Sequence, residues 1–332
     1  MPKRTADHPH QLDLFVALMG EVPLRDDKEA MSVPLVSLSK GKRTKPIEWR
    51  SSNDEWHVRV TANATHGMAT IWDYDVIVWA VSQLNEAVNK GLPTSPVIRF
   101  QPYDMLRAIR RQVGGDHYNA LEAALRRLKG TVVETNIRIG DRRRVGMFGL
   151  IEDWSHDTDA TTGRSRGMTL TLPHWMYDGV VKERDVLAIA PEYFDISSGI
   201  ARWLYRLARR HAGKQASGWR FTMQALHERS GSMQSKKEFA RGVRTAVKKG
   251  IPEYRLNILT GQTGAEVVAM ERDPAKVGMP QRRDLAGLGT AAVRSGDELG
   301  GSPAADTADH PPPDTADHPP KHGGSPADPQ VK

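Results

Sequence analysis

The stretch that decides the fold is SKKEFARGVRTAVKK, Ser235 to Lys249. Its apolar residues Phe239, Val243 and Val247 recur at every fourth position, so they fall on one face of a helix. The other faces carry several cations and only one carboxylate. This pattern predicts an amphipathic helix that buries one face in a protein core and exposes a strongly basic surface.

Both ends of the predicted helix are marked in the sequence. Ser235 occupies the N-cap position, and Glu238 follows three residues later, as in a capping box. Gly250 follows the last lysine and ends the helix, while Pro252 blocks its continuation. The polar faces present six cations: Lys236, Lys237, Arg241, Arg244, Lys248 and Lys249.

The segments on either side of this helix favour a helix-turn-helix. A shorter helical pattern, Phe221 to Gly231, ends in a glycine turn just before it. Two strand-like runs, EYRLNILTG and AEVVAME, follow it and are joined by TGQTG. The order of helix, turn, basic helix and two strands is typical of a winged helix, whose second helix usually enters the major groove. The alternative is a solvated surface helix on another α+β domain.

The same order occurs earlier in the chain. The strand VIRF, Val97 to Phe100, precedes the helical patterns PYDMLRAIRRQ and HYNALEAALRRLKG. The strand-like runs TVVETNIRI and VGMFGLIEDW follow and are joined by GDRRR. Each set is also preceded by a longer helical pattern, so the sequence predicts two similar units in tandem.

A helix in the major groove needs long side chains that donate hydrogen bonds to base edges, and cations that contact phosphates. In the second unit we predict that Arg241 and Arg244 read bases. Lys248 and Lys249 are predicted to hold phosphates, while Lys236 and Lys237 lie at the N-terminal end of the helix, where recognition helices commonly reach bases. In the first unit the polar candidates on the second helix are Asn119, Arg126 and Arg127. Three arginines at the tip of its hairpin could lie along a phosphate backbone: Arg142, Arg143 and Arg144. An ordinary solvated surface is the alternative for each set.

Composition limits the other classes of function. The chain has no cysteine, which excludes disulfides, thiolate zinc sites and cysteine nucleophiles. No apolar run is long enough to span a membrane. The net charge is +7, yet the segment from Asp273 onward holds six cations and nine anions. The rest of the chain is therefore strongly basic, which favours a nucleic acid as partner over a membrane. We expect a soluble protein of the reducing cytoplasm, without a cofactor or metal.

The predicted fold class is α+β, with two tandem winged-helix domains. We place a flexible N-terminal segment at residues 1–30, the first domain at 31–181 and the second at 182–272. Residues 273–332 form a Pro-, Gly- and Asp-rich segment with too little apolar surface to fold, so a disordered tail is expected.

Several segments in series resemble one family. IRFQPYDMLRAIRR, HYNALEAALRRLKGTVVETNI and GLIEDW are similar to the bacterial plasmid replication initiator protein A family, and the similarity runs from about Met31 to Met270. The resemblance implies sequence-specific binding to double-stranded plasmid origin DNA, followed by strand opening and helicase loading with host proteins. A host replication initiator and a homodimer are further partners to test.

Enzymatic functions have less support in the sequence. A phosphate-cradling G-x-x-x-x-G-K-[ST] motif is absent from the sequence. A metal-dependent rolling-circle nicking initiator would need a histidine pair and a nucleophilic tyrosine, and the close pair His8 and His10 lies near the N-terminus. We therefore expect no catalysis by this chain. A winged-helix transcription regulator remains the other alternative, because it too needs site recognition.

Overall fold

The computed structural model describes residues 14–51, 57–136, 138–139, 142–143, 146–213, 218–261 and 264–276. All of them belong to one compact unit, Met1–Met279. Its fold is mixed α+β, and the described part contains seven α-helices and several small sheets. The predicted α+β class is confirmed.

The N-terminal part contributes four strands: β1 (Phe15–Val16), β2 (Arg25–Asp27), β3 (Ile47–Arg50) and β4 (His57–Ala62). The first helical set contains α1 (Asp75–Asn89), β5 (Val97–Phe100), α2 (Pro102–Ala108), α3 (Gly115–Lys129), β6 (Thr131–Thr135), β7 (Arg138–Ile139), β8 (Arg142–Arg143), β9 (Gly146–Gly149), β10 (Asp153–Thr158) and β11 (Ser165–Thr171). The link to the second set contains α4 (His174–Val181), β12 (Val186–Ala188) and a short 3-10 helix, Pro191–Asp195.

The second set contains α5 (Gly199–His211), β13 (Trp219–Thr222), α6 (Met223–Arg229), α7 (Lys236–Lys249), β14 (Tyr254–Thr260) and β15 (Glu266–Arg272). Its three strands form one antiparallel sheet in the order β13-β15-β14. The strand before the helix pair therefore joins the far strand of the hairpin that follows it. The helix, turn, helix and hairpin that the sequence predicted for this stretch are all present.

The first set repeats this topology, but with a different hairpin from the predicted one. Strand β5 pairs with β11, and β11 pairs with β10, so the hairpin that matches β14 and β15 is β10–β11. The hairpin β6–β9, which we expected in that place, pairs through β6 with β4 in the sheet β3-β4-β6-β9. The two hairpins follow each other directly along the chain. Local pattern therefore does not show which one joins β5, because strand pairing is a long-range choice.

Ion pairs with two buried carboxylates, Asp75 and Asp26, link α5 to the first set and to the N-terminal part. Arg202 of α5 lies in the core and donates to the Asp75 carboxylate at the start of α1, with Nη1 and Oδ1 2.6 Å apart. Arg111, just beyond α2, donates to the other oxygen of the same carboxylate at 3.0 Å. Arg206 pairs with Asp26 of β2 at 2.7 Å, and both side chains are buried. A single apolar core runs past these pairs.

The N-terminal segment differs from the expectation. We predicted a flexible segment over residues 1–30, but residues 14–30 are part of the fold. Phe15 is buried and β1 pairs in parallel with β5, while Asp26 and Asp27 are buried in β2, which pairs with β12. Residues 1–13, and the predicted tail beyond residue 276, lie outside the described residues. The domain boundary at residues 181/182 stays a prediction.

Candidate nucleic-acid interface

Helix α7 presents the basic surface that the sequence predicted. Phe239 and Val243 are fully buried, so the opposite side of the helix faces solvent. The N-terminus is closed by a complete capping box: the Ser235 hydroxyl accepts the Glu238 N–H at 3.3 Å, and the Glu238 carboxylate accepts the Ser235 N–H at 3.1 Å. The Ser235 hydroxyl also donates to the Glu238 carboxylate at 2.9 Å, and this bond, followed by the one from the Ser235 N–H, holds the pKa of Glu238 below its usual value. All six predicted cations of the helix are exposed: Lys236, Lys237, Arg241, Arg244, Lys248 and Lys249.

Arg244 differs from the other five cations because it is paired. Its Nη2 lies 2.5 Å from Glu266 Oε2, and its Nε lies 3.2 Å from Glu266 Oε1. This fork ties the middle of α7 to the start of β15. Among the described residues, the other five cations have no carboxylate within 4 Å. Arg241 is therefore the arginine of this helix whose guanidinium is available for a ligand.

The corresponding helix of the first set, α3, is built differently. Arg127 donates from Nε and Nη2 to both oxygens of the nearly buried Asp73, each at 2.7 Å. These bonds raise the pKa of Arg127. The pair joins α3 to the segment just before α1, so the structure gives Arg127 an internal partner where the sequence had suggested a DNA contact.

Arg126 is also engaged within the protein. Its Nη2 lies 2.8 Å from Glu122 Oε2, and its guanidinium lies over the Trp154 ring at 5.5 Å from the centroid. Glu122 in turn contacts His156 Nδ1 at 2.9 Å, and His156 Nε2 lies 3.0 Å from Ser165 Oγ. The hydrogen bond with His156 is the main reason that the pKa of Glu122 is lowered. This chain of contacts ties α3 to the β10–β11 hairpin.

The remaining sequence-predicted residues fall into two groups. Asn119 is exposed on the first half of α3. Arg142 and Arg143 form strand β8, which pairs with β7. Their side chains, and the whole of Arg144, lie outside the described residues. The structure thus gathers six candidates on α7 and two, Asn119 and Arg126, on the surface of α3.

The partners of these cations were missed from the sequence. Glu266, Asp73 and Trp154 decide which arginine is free, but each lies far from its partner along the chain, so helical spacing does not reveal them. Among the described residues, no group of three metal-ligating side chains comes together. In the same part of the chain, no helix combines the length and the apolar character that a membrane span requires.

Comparison with known proteins identifies the family. The family model described as Replication initiator protein A matches residues 25–256. A protein of Wigglesworthia glossinidia brevipalpis, described as a replication protein, is 32% identical over 236 residues, which cover 70% of this chain and 84% of that protein. The chain belongs to the replication initiator protein A family, as the sequence segments suggested.

A solved structure shares the fold. The crystal structure of domains 2 and 3 of RctB covers 74% of this chain and 98% of its own, with a TM-score of 0.52 and 9% sequence identity. At this identity the likeness concerns the fold alone.

Proposed function

We propose that this member of the replication initiator protein A family binds double-stranded plasmid origin DNA through helix α7. The observation that carries the proposal is the set of five exposed cations on α7 that have no carboxylate partner among the described residues. A second helix of a helix-turn-helix that presents its polar face in this way is suited to the major groove. Its family supports a role in the initiation of replication.

Each of the two sets is proposed to be a winged helix. The strand order β13-β15-β14 and the matching order β5-β11-β10 support this assignment, because in both sets the strand before the helix pair joins the hairpin after it. The wings are then β14–β15 and β10–β11. The hairpin that carries Arg142 and Arg143 is an additional element, and its arginines remain proposed phosphate contacts.

Within α7 we assign the base contacts to Arg241. An arginine guanidinium forks onto the O6 and N7 atoms of guanine, whereas a lysine ammonium is a compact charge better suited to phosphates. Arg244 is given a positioning role, since its Nε and Nη2 already donate to the two oxygens of Glu266. The lysines at the two ends of the helix supply phosphate contacts.

The later steps of initiation are also proposed. Strand opening, helicase loading with host proteins, a bacterial cytoplasmic location and a homodimeric form would each fit an initiator of this family. The chain is proposed to act without catalysis or a cofactor. A winged-helix transcription regulator would use the same site recognition, so binding alone does not separate the two functions.

The experiment is a footprint on the plasmid DNA that flanks the gene, followed by a replication assay. We expect protection of discrete sites, and a resistance fragment that carries those sites and the gene should replicate autonomously. Protection without replication would favour a regulator. Cleavage of the supercoiled origin with a divalent metal would instead favour the nicking initiator.

A further inference from the structure

A second basic element lies beside the turn that leads into α7. Residues 39–45, read SKGKRTK, form a loop that we call the basic loop. Its three lysines, Lys40, Lys42 and Lys45, are exposed, while Arg43 is only 6% exposed. Burying a cation costs free energy unless it is hydrogen-bonded or paired, so the buried Arg43 indicates a structural role within the loop.

Arg43 fastens the basic loop to the α6–α7 turn. Its Nη1 donates to the carbonyl oxygen of Gly231 at 2.6 Å, 188 residues away along the chain. Its Nη2 and Nε donate to the carbonyl oxygens of Pro46 at 3.0 Å and of Lys45 at 2.8 Å. The guanidinium thus bridges the loop and the turn through three backbone acceptors. The Arg43 carbonyl accepts the Met68 N–H at 2.7 Å, which fixes the loop from its other side.

Packing at Gly231 makes the junction close. A Cβ atom on this glycine would lie 2.7 Å from Ile47 Cγ2 and 3.3 Å from Pro34 Cβ, and its φ is +60°. The turn is therefore pressed against the residues on either side of the basic loop, in a backbone conformation that favours glycine. The same turn continues to Lys236 and Lys237 at the start of α7.

Two of the three lysines of the basic loop, Lys42 and Lys45, have no charged partner among the described residues. The Lys42 stem lies against Gly67, where an added Cβ would come within 2.8 Å of Lys42 Cγ. Lys40 Nζ lies over the Trp72 ring at 5.0 Å from the centroid. Among the described residues, neither Lys42 nor Lys45 has a carboxylate within 4 Å.

We infer that the basic loop contacts the phosphate backbone of the duplex that α7 reads, with Lys42 and Lys45 as the principal cations. This inference rests on the proposed function of α7. In a helix-turn-helix, the turn and the start of the second helix face the DNA, so a loop bound to that turn lies next to the same duplex. Lysine ammonium groups bind phosphates without reading sequence. Arg43 is the positioning residue that holds both lysines in place.

The test compares Lys42→Ala/Lys45→Ala with the control Lys90→Ala/Lys182→Ala. The control removes two exposed lysines that are already paired with carboxylates, Lys90 with Glu86 at 3.3 Å and Lys182 with Asp178 at 3.0 Å. Binding is measured from low to high salt, on a labelled duplex from the footprinted site and on a scrambled duplex of equal composition. Each phosphate contact contributes about 0.9 to the slope of log K against log salt.

In the loop variant, the slope of log K against log salt should become less steep by up to about 1.8 on both duplexes. The control should keep the slope of the parent protein. Arg43→Ala should lower the slope as the loop variant does, and thermal melting should also show a loss of stability. A parent slope in the loop variant, with footprinting intact, would overturn the inference and leave the proposed function standing. A parent protein that protects no site would instead overturn the proposed function and the inference with it.

Discussion

Helices α3 and α7 occupy equivalent places in two similar sets of elements, yet they use their cations in opposite ways. In α3, Arg127 is held by Asp73 and Arg126 by Glu122 and Trp154. In α7, Arg244 is held by Glu266, and the other five cations have no carboxylate partner within the described part of the chain. The difference teaches that the number of basic residues on a helix does not define an interface. What matters is how many of them the protein has left unpaired.

The largest expected effect is the loss of stability when a buried apolar residue of either helix is replaced by a charged one. The two helices should be equally sensitive to this change. Val243 of α7 and Leu125 of α3 are both fully buried. Replacing either with aspartate places an unpaired charge in the core and should cost on the order of 4 kcal/mol or more. We expect loss of the cooperative thermal melt for Val243→Asp and Leu125→Asp, whereas the exposed control Lys248→Asp should melt like the parent. A cooperative melt near the parent temperature in either core variant would show that its helix is not packed as described.

Cations on α3 and on α7 should contribute differently to the free energy of unfolding. Arg127→Ala leaves the nearly buried Asp73 carboxylate without its main partner and should lower the free energy of unfolding by roughly 2–4 kcal/mol. Lys248→Ala on α7 removes an exposed charge and should change it by less than about 0.5 kcal/mol. Urea titration of both variants measures the contrast. Equal effects would mean that Arg127 is not an internal residue.

The hairpin that carries Arg142 and Arg143 tests whether the proposed interface extends beyond α7. Replacing Arg142, Arg143 and Arg144 with alanine should weaken binding on every sequence and lower the salt slope by up to about 2.7, the value for three phosphate contacts. The measurement is a salt titration on specific and scrambled duplexes. Arg142 and Arg143 lie in β8, which pairs with β7 in a sheet separate from that of β10–β11. An unchanged slope would therefore place this hairpin away from the DNA and leave the α7 assignment intact.

The pair between Arg244 and Glu266 gives the smallest expected effect. Both side chains are about half exposed, 48% and 39%, so the pair contributes at most about 1 kcal/mol to folding. Glu266→Gln removes a negative charge beside the proposed DNA-binding face and releases Arg244, so it should tighten binding to both duplexes a few-fold. A cycle with Arg244→Ala tests this: the part of the gain that comes from the released Arg244 should be lost in the double variant, while the part that comes from removing the Glu266 charge should remain. Weaker binding by Glu266→Gln alone would show that the pair itself is needed for the bound form.

The sequence predicted the features that are encoded locally. The capping box places the start of α7 within one residue of the observed helix, and the four-residue spacing identified its buried face. The sequence failed where long-range pairing decides. Asp73 and Arg127 are 54 residues apart, and Asp26 and Arg206 are 180 residues apart. Their ion pairs therefore leave no trace in helical periodicity.

The hairpin error has the same physical origin. Strands β6–β9 and β10–β11 are consecutive hairpins, and their order along the chain does not reveal which one pairs with β5. The count of cations also placed Arg127 among the candidate DNA contacts. A sequence does not distinguish a cation that neutralises a buried carboxylate from an unpaired cation that can bind a ligand. Folding decides between the two by which side chains it brings together.

We propose that α7, and not α3, reads the DNA sequence. The most direct test measures the affinities of Arg241→Ala and Arg126→Ala for the footprinted duplex and for its scrambled counterpart. Arg241→Ala should lose about 1–3 kcal/mol on the footprinted duplex and far less on the scrambled one, while Arg126→Ala keeps the parent ratio. If Arg126→Ala lost the preference and Arg241→Ala retained it, α3 would be the reading helix and the account given for α7 would be wrong.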